Sequence, residues 1–282
     1  MRGWWRDLSD LVLPGECGGC GRARTVLCPR CRTALSGAAP RRVRPVPEPP
    51  GLPVVHAAAR YADEVRAVLL AHKERGVLAL AAPLGAALAG AVRAGLREAR
   101  TGTGDAGTAP VWGRTALLVP VPSARGAVRT RGHDPARRIA LAAAGELRRT
   151  GTPARVLAVL RQRHPVADQS GLGARERLDN LAGALTVVSG GDRLLGGGGP
   201  VVLVDDLMTT GASLTEAARA VRAAAYGTVR SAVYPAAAGE GREERRTGPR
   251  MAGPNGGGDV IREVICAAVV ASTPDSFEMN RN

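Results

Sequence analysis

Aromatic residues are nearly missing from this 282-residue chain: three Trp, three Tyr and a single Phe, 2% of the total. That scarcity excludes a core built on ring packing and leaves Ala, Val and Leu to fill the interior. It also weighs against a groove for single-stranded nucleic acid, which needs aromatic platforms under successive bases. Lysine is rarer still. Lys73 is the only one, so the 39 basic residues are otherwise all Arg. Long apolar runs are lacking too. The longest, over 78–92, is broken by Pro83 and by glycines, and falls short of the ~20 residues a spanning helix needs. No membrane span is expected. Asp7 and Asp10 stand where a signal peptide would need apolar residues, so the chain is read as cytoplasmic.

What is present fits a soluble globular protein: 45% hydrophobic and 23% charged residues. The length suits one medium domain with a small appendage, or two small domains. Basic residues number 39 against 25 acidic, a net charge of +14. Two readings of that excess stand side by side. Arginine offers a planar fork to phosphate oxygens, which suits nucleic acid or phosphorylated ligands. An Ala-, Gly- and Arg-heavy composition is also what a GC-rich genome encodes.

Along the chain, 1–16 has the spacing of a short amphipathic helix and leads into a cysteine segment, together 1–36. Residues 37–53 are rich in Pro and Gly and read as an extended linker. A globular domain follows over 54–282, with a low-complexity insert at 238–259. Residues 63–97 are Ala- and Leu-rich and read as helix, with a break at Gly76. Apolar runs at 116–121, 156–160, 184–188, 201–204, 229–234 and 264–271 read as strands. Helical patterns at 136–149, 172–181 and 214–225 alternate with them. Continuous apolar strands alternating with helices predict an α/β fold: a parallel sheet covered by helices on both faces.

The most specific segment is VVLVDDLMTTGASL, 201–214. An apolar strand ends in Asp205 and Asp206, at the carboxyl end where open α/β sheets bind ligands. The turn Thr209, Thr210, Gly211, Ala212 and Ser213 follows, and then a helix. Ser213 and Glu216 have the spacing of a capping box. Free N–H groups at that helix start would make the turn an anion site, and Gly211 would let backbone approach the anion. Two acids beside an anion make sense if they face hydroxyls, or a metal, on the same ligand. A sugar phosphate satisfies both halves. No glycine-lysine pair enters the helix, so this is not a Walker loop.

The segment resembles the phosphoribosyl pyrophosphate (PRPP) signature of type I phosphoribosyltransferases. That resemblance implies that Asp205 and Asp206 hold the ribose hydroxyls and that Thr209 to Ser213 bind the 5-phosphate. Mg2+ would accompany PRPP. Upstream, Cys17, Cys20, Cys28 and Cys31 form two C-x2-C pairs in tight turns, a spacing that suits a closed, structural Zn2+ site with four thiolates. A disulfide pair and a redox C-x-x-C are the alternatives. Cys266, in an apolar run, reads as a buried small hydrophobe.

A cysteine module followed by a PRPP signature resembles the ComF family, which includes GntX-like proteins. Further segments carry that resemblance: AHKERG around Lys73, VPVPSARGAVRTRGHDPA at 119–136, ADQSGLGARERLDNLAGAL at 167–185 and PDSFEMNRN at the end. By resemblance, Ser123, Arg125, Arg131 and Gly132 lie in the pyrophosphate loop, and Lys73 adds a cation. Gln169, Arg175, Arg177 and Asn180 form a further element. Where the family has an aromatic, Asn and Gln after Arg-Gly, this chain has His133, Asp134 and Pro135, which would put the negative charge of Asp134 near an anionic ligand. Three readings follow: transfer of a phosphoribosyl group to an unidentified base or amine, a non-catalytic PRPP sensor, or an accessory of DNA uptake that touches nucleic acid or the uptake machinery. No general base is assigned; His133 is the one histidine the resemblance brings near the site.

Overall fold

The computed structural model describes residues 15–102, 114–163, 176, 180–196, 199–233 and 266–280. The expected helices at 1–16 and, for the most part, 172–181 lie outside these residues, as do the insert at 238–259 and Gln169, Arg175 and Arg177. The chain forms an α/β sandwich around a six-stranded sheet: β1 (Arg41–Val43), β2 (Val55–Arg60), β3 (Ala116–Pro120), β4 (Ala154–Val156), β7 (Val201–Met208) and β8 (Cys266–Ser272). Its order is β1-β2-β8-β7-β3-β4. All neighbours run parallel except β1, which pairs antiparallel with β2. The expected parallel sheet is therefore present, with one antiparallel edge. That edge comes from the segment read as a linker, where Arg41 to Val43 pair with Ala57 to Val55.

The helices follow from the apolar pattern. Helix α1 (Pro29–Ser36) belongs to the cysteine segment, α2 (Asp63–Lys73) follows β2, and α3 (Ala81–Gly102) follows a 3-10 turn at Leu78–Leu80. Helices α4 (Arg125–Arg131) and α5 (Pro135–Arg149) follow β3, and a short α6 (Gly191–Leu195) precedes β7. Helix α7 (Ala212–Val233) follows β7. Successive strand residues point to opposite faces. Val202 and Val204 accordingly pack with α3 and α5, through Leu88, Val92 and Ile139, while Val201 and Leu203 pack with α7 through Leu214 and Val221. Both faces are covered, as a parallel sheet requires.

Four sequence expectations change. The strand expected at 229–234 is helical through Val233, because Gly227 inside an Ala-rich helix costs only about 1 kcal/mol relative to Ala. The place beside β7 belongs to β8 instead. The run at 156–160 splits: Ala154–Val156 joins β3, and β5 (Leu160–Gln162) turns away to pair antiparallel with β6 (Leu185–Val187). The strand at 201–204 extends to Met208, so both aspartates lie inside its last turn of pairing, with Asp205 opposite Val269. Finally, the helical stretch Leu78–Thr101 is long and apolar enough to cross a membrane by length and composition. Half of its most apolar window is buried, where α3 packs on β2, β8 and α5 as the central helix of one face.

Candidate functional site

Chain direction sets the site. After β3 the chain crosses to the face of α5, and after β7 it crosses to the face of α7. The adjacent strands β3 and β7 thus send their connections in opposite directions, and the crevice outside their carboxyl ends is a topological switch point, where open α/β sheets hold ligands. The loop after β3 brings Ser123; β7 brings Asp205 and Asp206; α2, after β2, ends at Lys73.

The Lys73 ammonium meets the Asp206 carboxylate at 3.0 Å on Oδ2 and 3.5 Å on Oδ1. Asp206 is buried, with 7% of its side chain exposed, while Lys73 keeps 34% of its own. Burial by itself would lower the Lys73 pKa, but Asp206 and Asp205 outweigh it and hold it above its ordinary value. Asp205 Oδ1 accepts the backbone N–H of Asp206 at 2.8 Å. Though the residue keeps some exposure, burial of its carboxyl and the charge of Asp206 push its pKa well above the usual carboxylate range, and Lys73 only partly offsets them. One lysine serves two acids, so the pair keeps an unmet demand for positive charge or for hydrogen-bond donors.

The following turn is built differently from its sequence reading. Helix α7 begins at Ala212, and the Thr210 hydroxyl accepts from the Ala212 N–H at 3.5 Å. The capping box does not form. Glu216 instead turns across to accept the Leu185 N–H at 2.9 Å and pairs with Arg219 at 2.6 Å, tying β6 to α7. Gly211 has φ +77, and a Cβ there would lie 3.1 Å from Leu52. The glycine is therefore required by the left-handed backbone and by the 37–53 segment packed on the turn. Thr209 is exposed and Thr210 and Ser213 half-buried, while Ala212 is buried.

On the other side, Arg131 donates through Nε and Nη2 to both oxygens of Glu74 at 2.9 Å. Its charge reaches Lys73 and slightly lowers it. Together with Arg75 and His133, this pair lines a cleft of roughly 460 Å³ beside Lys73, within the usual size of small-molecule sites. Arg125 opens α4, and its side chain lies outside the described ones. Asp134, expected to carry charge toward the ligand, caps α5: its Oδ1 accepts the Arg137 N–H at 3.2 Å and the Ser123 hydroxyl at 3.4 Å. An acid at a helix start is stabilising there. Both ring nitrogens of His133 lie 3.2 Å from backbone carbonyls, those of Arg131 and His72. That buried ring, set between two backbone carbonyls, braces α2 against the β3 loop.

The cysteine segment converges as its spacing implies. The sulfur atoms of Cys17, Cys20, Cys28 and Cys31 all lie within 4.8 Å of one another, with Cys20 and Cys28 3.6 Å apart. Tetrahedral bonds of about 2.3 Å place sulfurs about 3.8 Å apart, so the four thiols fit one structural metal ion. Among the described residues no histidine joins them, and His72 stays buried with Nδ1 3.3 Å from the Val77 carbonyl. Gly19 lets the knuckle close, because a Cβ there would meet Cys31 Sγ at 2.6 Å. Burial pushes the Cys17 thiol up, but backbone N–H groups of Cys28, Cys20 and Gly19 outweigh it and hold it at about 6. Burial raises Cys31. Cys266, buried in β8, is pushed up to about 12 by burial and is an inert core thiol.

The module is not free-standing. Arg30 pairs with Glu64 of α2, Arg75 donates to the Gly18 carbonyl at 3.3 Å, and Cys17, Cys28 and Cys31 share the core of α2 and α3. It therefore grips the helix that carries Lys73. Lys73 and Asp206 each gave a signal in sequence, but their contact, 133 positions apart, could not be read from spacing. Glu74, the partner of Arg131, gave none. No protein-family model matches the chain, and no curated protein matches it.

Proposed function

We propose that this chain binds PRPP at the carboxyl end of β7 and transfers its phosphoribosyl group to a base or amine, releasing pyrophosphate. The observation that carries the reading is the Lys73–Asp206 contact at 3.0 Å, which joins the acidic strand end to the only lysine of the chain at the switch point between β3 and β7. The motif order, cysteine module and then Asp-Asp turn, supports a ComF-like assignment with zinc in the cysteine site. Four reduced thiols suit a cytoplasmic setting.

In this reading Asp205 and Asp206 orient the ribose hydroxyls, whose O–H groups donate to the carboxylates. Lys73 and Arg131 lie toward the leaving pyrophosphate, where their charge stabilises developing negative charge. The bond from the acceptor nitrogen to the anomeric carbon forms as the carbon–oxygen bond to pyrophosphate breaks. Mg2+ carried with the substrate would neutralise further charge on the pyrophosphate, and Asp205 and Asp206 are the carboxylates available to hold it, a donor set that suits this ion together with substrate phosphates. Catalysis in such a site is positioning and electrostatics.

Calorimetric titration of Mg-PRPP into metal-loaded protein tests the reading. Saturable binding lost in Asp205→Asn/Asp206→Asn is the expected result, followed by an acceptor screen for pyrophosphate release. No heat with the metal-loaded wild type would overturn both the transferase and the sensor readings and favour nucleic acid as the partner.

A further inference from the structure

Lys73 and Arg131 are each the last residue of a helix, α2 and α4. A helix end leaves carbonyls without partners inside the helix. At the end of α2, the Leu70 carbonyl accepts the Glu74 N–H at 2.8 Å, and the Ala71 carbonyl accepts the Val77 N–H at 3.0 Å. The next carbonyl, that of His72, lies 3.2 Å from His133 Nε2. At the end of α4, the Gly132 N–H returns to the Val128 carbonyl at 2.9 Å, and the Arg131 carbonyl lies 3.2 Å from His133 Nδ1. One imidazole thus stands at the ends of both helices. It is buried and meets the His72 ring edge-on, with centroids 5.5 Å apart.

A carbonyl can only accept, so each contact forms when the facing nitrogen carries a proton. A histidine beside the last carbonyls of a helix is favoured by that hydrogen bond and by the negative end of the helix dipole. The dipole also accounts for a cation at each helix end. It does not account for where those cations go. The Lys73 ammonium reaches Asp206 of β7 at 3.0 Å, and the Arg131 guanidinium reaches Glu74, the residue after Lys73. Both side chains leave backbone that His133 touches, at the peptide just before Lys73 and at Arg131 itself. Past Glu74 the chain turns away at Gly76, φ +67, where a Cβ would meet nothing. The Arg131–Glu74 pair spans the same junction, but with 46% of the Glu74 side chain exposed it holds weakly. The buried ring carries the junction.

We infer that His133 is a positioning residue: its ring docks the end of α2 against the end of α4, and so sets Lys73 against Asp206 with Arg131 beside it. It touches no reacting atom. The consequence for PRPP rests on the proposed transferase reading, in which these two cations face the pyrophosphate. The docking of Lys73 does not rest on it.

Lys73 is the only lysine, so full-length, metal-loaded protein made with isotope-labelled lysine carries a single reporter. The NMR signal of its Cε follows where the ammonium sits, and Asp206→Asn supplies the released position. His133→Phe keeps a ring and loses both nitrogens, whereas His133→Gln keeps a donor and loses the ring. His133→Met, of adaptable shape, replaces His133→Phe if circular dichroism shows that the latter does not fold. Glu216→Gln loosens α7 from β6 and controls for general loss of stability. His133→Phe is expected to move the Lys73 signal most of the way to the Asp206→Asn position. Glu216→Gln should leave it at the wild-type position, and His133→Gln nearer to wild type than to Asp206→Asn. In calorimetry with Mg-PRPP, His133→Phe should bind about tenfold more weakly, as for the loss of one hydrogen bond to a charged group. A Lys73 signal unmoved in His133→Phe, or moved equally in Glu216→Gln or His133→Gln, overturns the positioning role. A moved signal with unchanged PRPP affinity overturns the link to the substrate. If wild type binds no PRPP, the transferase reading falls and the lysine signal alone decides the role of His133.

Discussion

The cysteine cluster and the acidic end of β7 both crowd groups that become like-charged on ionising, and they relieve the crowding differently. Around Cys17, Cys20, Cys28 and Cys31 the ligand set is complete: four sulfurs within 4.8 Å, three of them buried, closing on one point. At β7 the set is incomplete, with two carboxylates and a single ammonium held at 3.0 Å. A closed set of soft ligands makes a structural site, because nothing is left over for a substrate. An unbalanced set of hard ligands at a switch point is what a ligand can complete. The two regions are mechanically joined, since the cysteine module packs on the helix that ends at Lys73.

The largest effect expected from this contrast is on the closed site. Structural zinc in small domains carries on the order of 10 kcal/mol of folding free energy. Stripping the metal with a chelator should therefore expose the four thiols to a chromogenic disulfide reagent and lower or split the thermal transition. An unchanged melt, with the thiols equally reactive before and after chelation, would show that the cluster needs no ion.

Next come two substitutions at adjacent positions with opposite signs. Asp206→Asn leaves the Lys73 ammonium without its nearest partner and should cost about 1–3 kcal/mol, less than a fully buried pair because Lys73 is partly exposed. Asp205→Asn keeps the acceptor for the Asp206 N–H and removes a carboxylate whose folded pKa is raised. Such a group favours the folded state when protonated; that contribution is complete below its unfolded pKa and is lost as pH rises through its folded one. At pH 7 Asp205→Asn should therefore stabilise by about 1 kcal/mol, or about 2–4 °C in Tm, and the gain should vanish below the ordinary aspartate range. Tm against pH for the two variants reads this directly. Shifts of the same sign would mean that the two carboxylates share one environment.

The smallest effect belongs to Glu74. Its pairing with Arg131 is largely exposed, with 46% of the Glu74 side chain open to solvent, so Glu74→Gln should change stability by no more than about 0.5 kcal/mol. In the PRPP reading it frees Arg131 and tightens binding of the substrate, which the same calorimetric titration measures. Weaker binding would assign Glu74 a direct role toward the ligand.

Much of the layout was legible because it rests on local rules. The run Val201 to Val204 is apolar on both faces, which only a buried parallel strand tolerates, and the paired C-x2-C spacing makes convergence of four sulfurs a short-range matter. Three features escaped for a common reason: they depend on partners distant in sequence. Glu216 has the spacing of a cap for Ser213, but the unpaired N–H of Leu185 and the guanidinium of Arg219 compete for it and win. Arg41 to Val43 sit among prolines, yet β2 offers a free edge that they complete. His72 lies 61 positions from His133, and only the folded chain brings its carbonyl to that ring.

The position of β8 has a consequence for how the molecule is made. This strand, from near the end of the sequence, lies between β2 and β7, so until it leaves the ribosome the sheet exists as two fragments with their innermost edges bare. Those edges, Val55 to Ala59 and Val202 to Val204, are buried and, His56 apart, apolar in the finished protein and are of the kind that pairs with other chains when exposed. A nascent chain ending between residues 209 and 265 would hold the cysteine module and β7 yet lack the strand that lies between β2 and β7. The central pairing of the sheet thus waits on β8, and products truncated before it should be recovered with chaperones, not as soluble fragments.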